Sequence, residues 1–206
     1  MNKYNCMSTI EKNTKRKNIN EDNEDIVNKT TIYSQSNHIY FNSNIDTESA
    51  FNLNKELRNM EERLKTTANN FNIKSLAIYL HLTTNGGSIH SAFNIIDCMN
   101  SITLPIYTIV EGYVASAGTL ISIHGKKRYI GKNAYMLIHE LRSGVWGKMT
   151  YLEEEMTNFK KVQEHLITLY TNKTILTRKK LNKILKRDIE WNANEAIENG
   201  LVDYIY

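Results

Sequence analysis

IYTIVEGYVASAGTLISIHG, residues 106 to 125, decides how the rest of the chain is read. It opens with an apolar, β-branched run, Ile106 to Val110, with the composition of a buried strand. It closes with Leu120, Ile121 and Ile123 set among small residues, as in a packed helix. Between them lie Val114-Ala115-Ser116-Ala117-Gly118, one serine where a strand gives way to a helix. The first amides of a helix lack internal partners and carry the positive end of its dipole. A serine at such a turn is presented to a ligand, with donors nearby for a negative oxygen. The same residues also suit a packed turn that does no chemistry, so the flanking chain must decide.

On the N-terminal side, Ser75 to Leu82 (SLAIYLHL) reads as a strand, followed by Thr83-Thr84-Asn85-Gly86-Gly87-Ser88. Adjacent glycines let a backbone approach something closely or take positive φ. No Lys-Ser or Lys-Thr pair follows at P-loop spacing, and the pair is no dinucleotide fingerprint. Ile89, Ala92, Phe93, Ile96 and Met99 then mark one helical face, which Pro105, the only proline, separates from the strand at Ile106. Earlier still, Ala50, Leu53, Leu57, Met60 and Leu64 form a helical stripe within Thr47 to Asn70, capped by Asp46 or Thr47. His38 to Asn42 (HIYFN) reads as a first strand. Residues 1–30 are rich in Asn, Lys, Glu and Asp and read as a disordered polar tail. The domain proper is therefore 31–206.

On the C-terminal side, Lys127 to Ile130 and Ala134 to Ile138 are short strands, the second ending at His139. A glycine-bearing loop, Arg142 to Gly147, leads into a long helix from Thr150 to about Thr171. Its apolar positions, Met149, Leu152, Met156, Phe159, Val162, Leu166 and Leu169, recur at helical spacing. A helix this long is expected to project or to pack on a neighbour. Thr177 and Asn192 cap two further helices, Gly200 suits the position after the last, and Leu201 to Ile205 reads as a closing strand. Strands alternating with helices imply right-handed crossovers and a largely parallel α/β sheet.

The chain has 206 residues, 41% hydrophobic and 23% charged, enough for one domain with a real core. A formal charge of +4 without a basic stripe argues against nucleic acid as partner. Cys6 and Cys98 form neither a disulfide framework nor a zinc knuckle, which suits a reducing, cytoplasmic setting. No apolar run approaches the roughly 20 residues of a membrane helix. The N-terminal stretch lacks a secretory core, and its mixed charges argue against an organelle transit peptide.

A serine at a helix start, a histidine at a strand end and a later acid can form nucleophile, base and orienter. Ser116 and His139 sit at such boundaries. Asp97, Asp188 and Asp203 remain open as the acid, with Asp188 favoured by its place in a short link between two helices. Read singly, His139 suits a hydrogen-bonded core histidine and Asp188 a solvated loop charge. His81, His90, His124 and His165 show no metal-ligand spacing with carboxylates and are read as structural. Glu153 to Glu155 read as a solvated helix face.

Taken in order, Asn85-Gly86-Gly87-Ser88, Gly112 to Gly118, Met136 to His139, Arg187-Asp188 and Ala193 to Asp203 resemble the Clp protease proteolytic subunit. That family comprises serine peptidases of the crotonase-like fold, built from repeated β-β-α or β-α units with a projecting handle helix. The resemblance spans about residues 38 to 206 and implies Ser116 as nucleophile, His139 as general base and Asp188 as the orienting acid. It places the oxyanion-hole amides at Gly87 and Ala117. It further implies a homo-oligomer of stacked seven-membered rings enclosing a chamber, with the helix from Thr150 as the ring-to-ring handle. The ATP work would come from a hexameric AAA+ unfoldase; no cofactor or metal is expected on this chain. Arg187 matches an arginine of ring contacts. Tyr151 stands at the usual handle carboxylate, for which Glu153 or Glu154 would substitute.

Some positions depart from the family pattern. Thr84-Asn85 replace a serine-proline pair, Glu140-Leu141 replace glutamine-proline, and the first helix is expected to shrink to Tyr33-Ser34-Gln35-Ser36. Two other functions compete with an active endopeptidase acting on unfolded polypeptide. One is a catalytically inactive ring subunit, against which the complete Ser-His-Asp set argues. The other is a crotonase-fold acyl-CoA enzyme, which Ser116 with His139 disfavours because such enzymes usually place acids at the reacting centre.

Overall fold

A computed structural model describes residues 31–73 and 75–206, so the polar tail expected over 1–30 lies outside the described residues. The chain enters as a hairpin, β1 (Thr31–Gln35) and β2 (His38–Asn42), paired antiparallel from Thr31↔Asn42 to Gln35↔His38. This corrects the expectation of a shortened helix at 33–36. Tyr33, Ser34 and Gln35 alternate across a pleat, and only Ser36 turns the chain, at φ 57°. A cross-strand stack of Tyr33 on Tyr40, with centroids 4.6 Å apart, rewards the strand in a way a single helical turn could not match.

Parallel strands follow. β3 (Ile78–Thr84) lies beside β2, β4 (Ile106–Ala115) beside β3, and β5 (Lys127–Ile130) beside β4, with β8 (Tyr204–Ile205) on the far edge. β6 (Tyr135–Leu137) pairs with β4, and β7 (Glu190–Trp191) pairs antiparallel with β6. β4 divides. Tyr107 to Val110 run beside β5, whereas Tyr113 to Ala115 run beside β6. The break falls at Glu111–Gly112, where the register against β3 jumps and Gly112 takes φ 60°. A residue with no Cβ makes that bulge inexpensive. The second arm of β4 is thereby free to leave β5 and meet β6.

Between the strands run α1 (Thr47–Phe71), α2 (Ile89–Ser101), α3 (Ala117–Ser122), α4 (Met149–Lys173), α5 (Arg178–Ile184) and α6 (Ala193–Glu198). α1 buries the expected stripe, Ala50, Leu53, Leu57, Met60 and Leu64. Its cap is a reciprocal box in which Ser49 N–H donates to Asp46 and Asp46 N–H donates to Ser49 Oγ. Ser88, Thr177 and Asn192 cap α2, α5 and α6. The core lies where α1 and α2 meet Ile39, Phe41, Ile78, Leu80, Leu82 and Val110. The alternate residues of the same strands carry rings: His38 stacks on Tyr79, Tyr40 on His81, and Tyr79 meets Tyr107 edge-on. Each of these is a register pair, so the rings follow from the pleat.

α4 is 25 residues long, yet only Leu166, Ile167 and Tyr170 are buried. Its outer half leaves Met149 and Met156 exposed and Leu152, Phe159 and Val162 half-buried. Trp146, just before it, is 94% exposed. Among the described residues no helix is long and apolar enough to cross a membrane.

Candidate active site

Ser116 ends β4 with φ 54° and ψ −125°, a conformation that non-glycine residues rarely hold. Strain of this kind persists only when the surroundings over-determine it. Here Ser116 N–H donates to Leu137 O at 2.8 Å, tying the turn to β6. Ser116 O accepts from Thr119 N–H at 3.0 Å and from Thr119 Oγ1 at 2.7 Å. From the other side the Gly86 backbone presses on the turn. A Cβ at Gly86 would lie 2.6 Å from Ser116 Cβ and 2.8 Å from Ala115 O. The glycine pair thus serves close approach, Gly86 to the serine turn and Gly87 to the Ile45 backbone. Neither the Gly87 nor the Ala117 amide donates to another described residue.

His139 follows β6 as Ser116 follows β4. Because Ala115 is level with Leu137, the two side chains leave the ends of neighbouring parallel strands. They line one cavity of about 430 Å³ together with Gly87 and Ala117. Leu120, Phe159, Val162, Leu166 and Tyr170 give that cavity apolar walls. Past Leu141 and Phe159 a second hollow of about 580 Å³ continues along α4 toward Val145 and Met156. Two adjoining hollows beside a serine and a histidine leave room for a chain-like substrate.

His139 is half-buried, and its Nδ1–H donates to the Glu140 carbonyl at 2.6 Å. That bond leaves Nε2 as the proton acceptor. Asp188 is exposed and does not line the cavity; its carboxylate accepts from Arg142, which does. No hydrogen bond joins Ser116 to His139, or His139 to Asp188, among the described residues. The backbone nevertheless brings the segments that carry His139 and Asp188 off the ends of neighbouring strands. β6 and β7 pair Met136 with Trp191 and Leu137 with Glu190. His139 lies two residues past the paired end of β6 and Asp188 two residues before the paired end of β7.

The other two candidate acids have separate surroundings. Asp97 is exposed on α2. Asp203 accepts from the Arg128 side chain and, at 2.9 Å, from its backbone N–H. Burial alone would raise the Asp203 carboxyl, but these Arg128 contacts hold it below the usual range. Asp203 thus clasps β8 to β5.

Sequence reading missed three residues around this site. In the sequence Arg142 reads only as the start of a glycine-bearing loop, and its partner lies 46 residues on. Tyr170 was absent from the apolar stripe assigned to its helix, and Thr119 was one small residue among several. His81, read as structural, accepts from or donates to His38 at 2.8 Å and bonds Glu111 at 2.6 Å.

A strained strand-to-helix elbow that presents a serine and a histidine to one lined cavity is an arrangement that suits a hydrolase. Comparison with known proteins narrows the class: the family model described as Clp protease matches residues 20–206, and the chain belongs to that family of peptidases. The chain is 30% identical over 196 residues to the ATP-dependent Clp protease proteolytic subunit 2 of Treponema denticola, covering 91% of this chain and 94% of that one. It is 35% identical over 135 residues to the ATP-dependent Clp protease proteolytic subunit of Streptococcus uberis, covering 62% and 67%. With subunit 1 of Chlamydia muridarum it shares 27% identity over 186 residues, 88% and 91% of the two chains.

Proposed function

We propose that this protein is the proteolytic subunit of an ATP-dependent protease and cleaves unfolded polypeptide through a serine nucleophile. The observation that carries the reading is the pairing of β4 with β6, which delivers Ser116 and His139 to one cavity beside two uncommitted amides. Ser116 Oγ attacks the scissile carbonyl carbon while His139 Nε2 takes its proton. The Gly87 and Ala117 amides donate to the oxyanion of the tetrahedral intermediate. Collapse breaks the C–N bond, His139 returns the proton to the leaving amine, and the acyl group stays on Ser116. Water, deprotonated by His139, then releases the acid. Asp188 is the acid that orients His139 and stabilises its imidazolium.

The relatives' names speak of an ATP-dependent protease, and the ATP-driven partner of this chain is an AAA+ unfoldase. The half-exposed α4 supports a homo-oligomer, with two stacked seven-membered rings as the arrangement. The test is hydrolysis of a short fluorogenic peptide together with labelling by a fluorophosphonate probe. Ser116→Ala should keep the assembly, abolish labelling and lower turnover by about four to six orders of magnitude. Hydrolysis by that variant at the native rate would remove Ser116 as nucleophile.

A further inference from the structure

We propose that Arg142 is a positioning residue of this site: it holds the Asp188 carboxylate away from His139, and transfer of that carboxylate to His139 Nδ1 arms the base. The inference rests on the serine-peptidase reading above and concerns how its third member is engaged.

Two groups compete for each partner. His139 Nδ1–H has the Glu140 carbonyl at 2.6 Å, and Asp188 has the Arg142 guanidinium. The carbonyl fixes the tautomer that a base needs, so Nε2 can accept the serine proton. It cannot do the second task. When Nε2 takes the proton the ring becomes a cation, and a neutral dipole stabilises it far less than an adjacent full negative charge. Asp188 can supply that charge: it precedes β7 by two residues, His139 follows β6 by two, and the two strand ends are paired at Leu137↔Glu190. Movement of these two side chains and of the segments that carry them exchanges the partners. No strand has to slide, and Glu140 N–H keeps its bond to Leu185 O at 2.8 Å, which holds the two segments together.

Arg142 decides how often that exchange occurs. Its side chain and that of Asp188 are 64% and 56% exposed, so the pair is weak and open to screening by salt. Such a pair biases an equilibrium and does not lock it. Arg142 also sits on the cavity wall, three residues after His139. Substrate in the cavity and the carboxylate across the strand pair thus meet at one guanidinium. The site is held with its base correctly tautomerised but without its counter-charge, and loss of the Arg142–Asp188 contact completes it.

Full-length protein decides the matter, as native chain, Arg142→Gln, Arg142→Lys, Asp188→Asn and the Arg142→Gln/Asp188→Asn double variant. Arg142→Gln is expected to raise kcat on a fluorogenic peptide by about two- to fivefold with KM little changed, the scale of an exposed pair. Arg142→Lys should fall between it and the native chain, since lysine keeps the charge but not the two-pronged fork. Added salt should raise native kcat toward the Arg142→Gln value and leave that variant unmoved. In the Asp188→Asn background, Arg142→Gln should do nothing. An unchanged or lower kcat for Arg142→Gln, in a variant with native thermal midpoint, overturns the proposal. So does an equal rise in the Asp188→Asn background. A second readout is independent of turnover: the low-field proton resonance of an imidazole N–H bonded to carboxylate should strengthen in Arg142→Gln and vanish in the double variant. If that resonance behaves so but no form hydrolyses peptide, the peptidase reading fails and the partner exchange stands. If peptide is hydrolysed with no dependence on Arg142, the exchange fails and the peptidase reading stands.

Discussion

The phenol of Tyr170 and the hydroxyl of Thr119 lie 2.5 Å apart, out of reach of solvent. Thr119 Oγ1 donates onward to Ser116 O at 2.7 Å, so Tyr170 Oη–H is the donor to Thr119. A helix that reaches outward along its first half is thereby anchored, at its second, to the strained serine turn. Burial pushes the Tyr170 phenol well above its usual range, so the group stays a donor at any working pH.

Tyr170→Phe tests the anchor. It removes one buried hydrogen bond and leaves Thr119 without its donor, which should cost about 1–2 kcal/mol of stability. kcat should fall severalfold with KM nearly constant, because the turn loosens while the cavity walls remain. Thermal unfolding and peptide kinetics read both; a variant native in both would show that the bond anchors nothing.

Gly86→Ala addresses close approach. The added methyl meets Ser116 Cβ and Ala115 O, and the backbone there has φ 93°. Either the glycine loop or the serine turn must retreat, and a displacement of about 1 Å can cost about a hundredfold in rate. Activity should therefore drop far more than stability. Full activity in Gly86→Ala would mean that the two loops are not in register during the reaction.

Acid should weaken the link between α1 and the segment after α2. Glu61 accepts from Lys65 at 2.8 Å and from the Thr103 amide and hydroxyl at 2.7 and 2.6 Å. Burial would raise this carboxyl, but the three donors outweigh it and bring the pKa from 4.5 to about 2. A depressed carboxylate stabilises the fold fully above its unfolded pKa and loses that contribution as pH falls through the folded one. The gap between native protein and Glu61→Gln should thus be constant near neutrality, about 1–2 kcal/mol, and should close between about pH 4.5 and 2. Denaturant unfolding across that range checks it; a gap that widened toward acid would reverse the assignment.

The outer half of α4 offers the test of assembly. Met156 is 52% exposed and Phe159 half-buried, beside an apolar hollow with Leu141 and Val145. Apolar surface of this kind on a projecting helix marks an interface. Met156→Glu with Phe159→Glu should split the oligomer in light scattering, since a charge without a partner in an apolar contact costs several kcal/mol. A native chain that scatters as an active monomer would remove the stacked rings from the mechanism.

Much of this architecture is written locally. The elbow at Ser116 is legible because β-branched residues stop where small ones begin, and α1 because its stripe repeats at 3 and 4. Ser88, Thr177 and Asn192 announce their helices by residue type, and Ser116 with His139 could be paired because each ends a strand. What escaped was set by distant chain. Tyr33 to Gln35 are a strand only because Tyr40 and Phe41 return beside them. Glu190–Trp191 are too short for any period, yet their pairing with β6 brings the segment of Asp188 alongside that of His139. Asp46 and Ser49 make a capping box from residues other than the usual glutamate or glutamine. The partner of Asp188 could not be read at all, since no local pattern links it to Arg142.

The fork in β4 also governs which changes in length the gene can tolerate. The partners of its two arms, β5 and β6, are joined by a short turn, closed by Ala134 N–H on Gly131 O at 2.9 Å. Additional residues at that turn would cost only slowly growing loop entropy. One residue gained or lost inside Tyr135 to His139 would instead invert every side chain beyond it and turn the imidazole from the cavity to the opposite face of the sheet. Insertions can therefore accumulate at 131–134 without touching the chemistry, while from 135 onward the chain is counted in pairs.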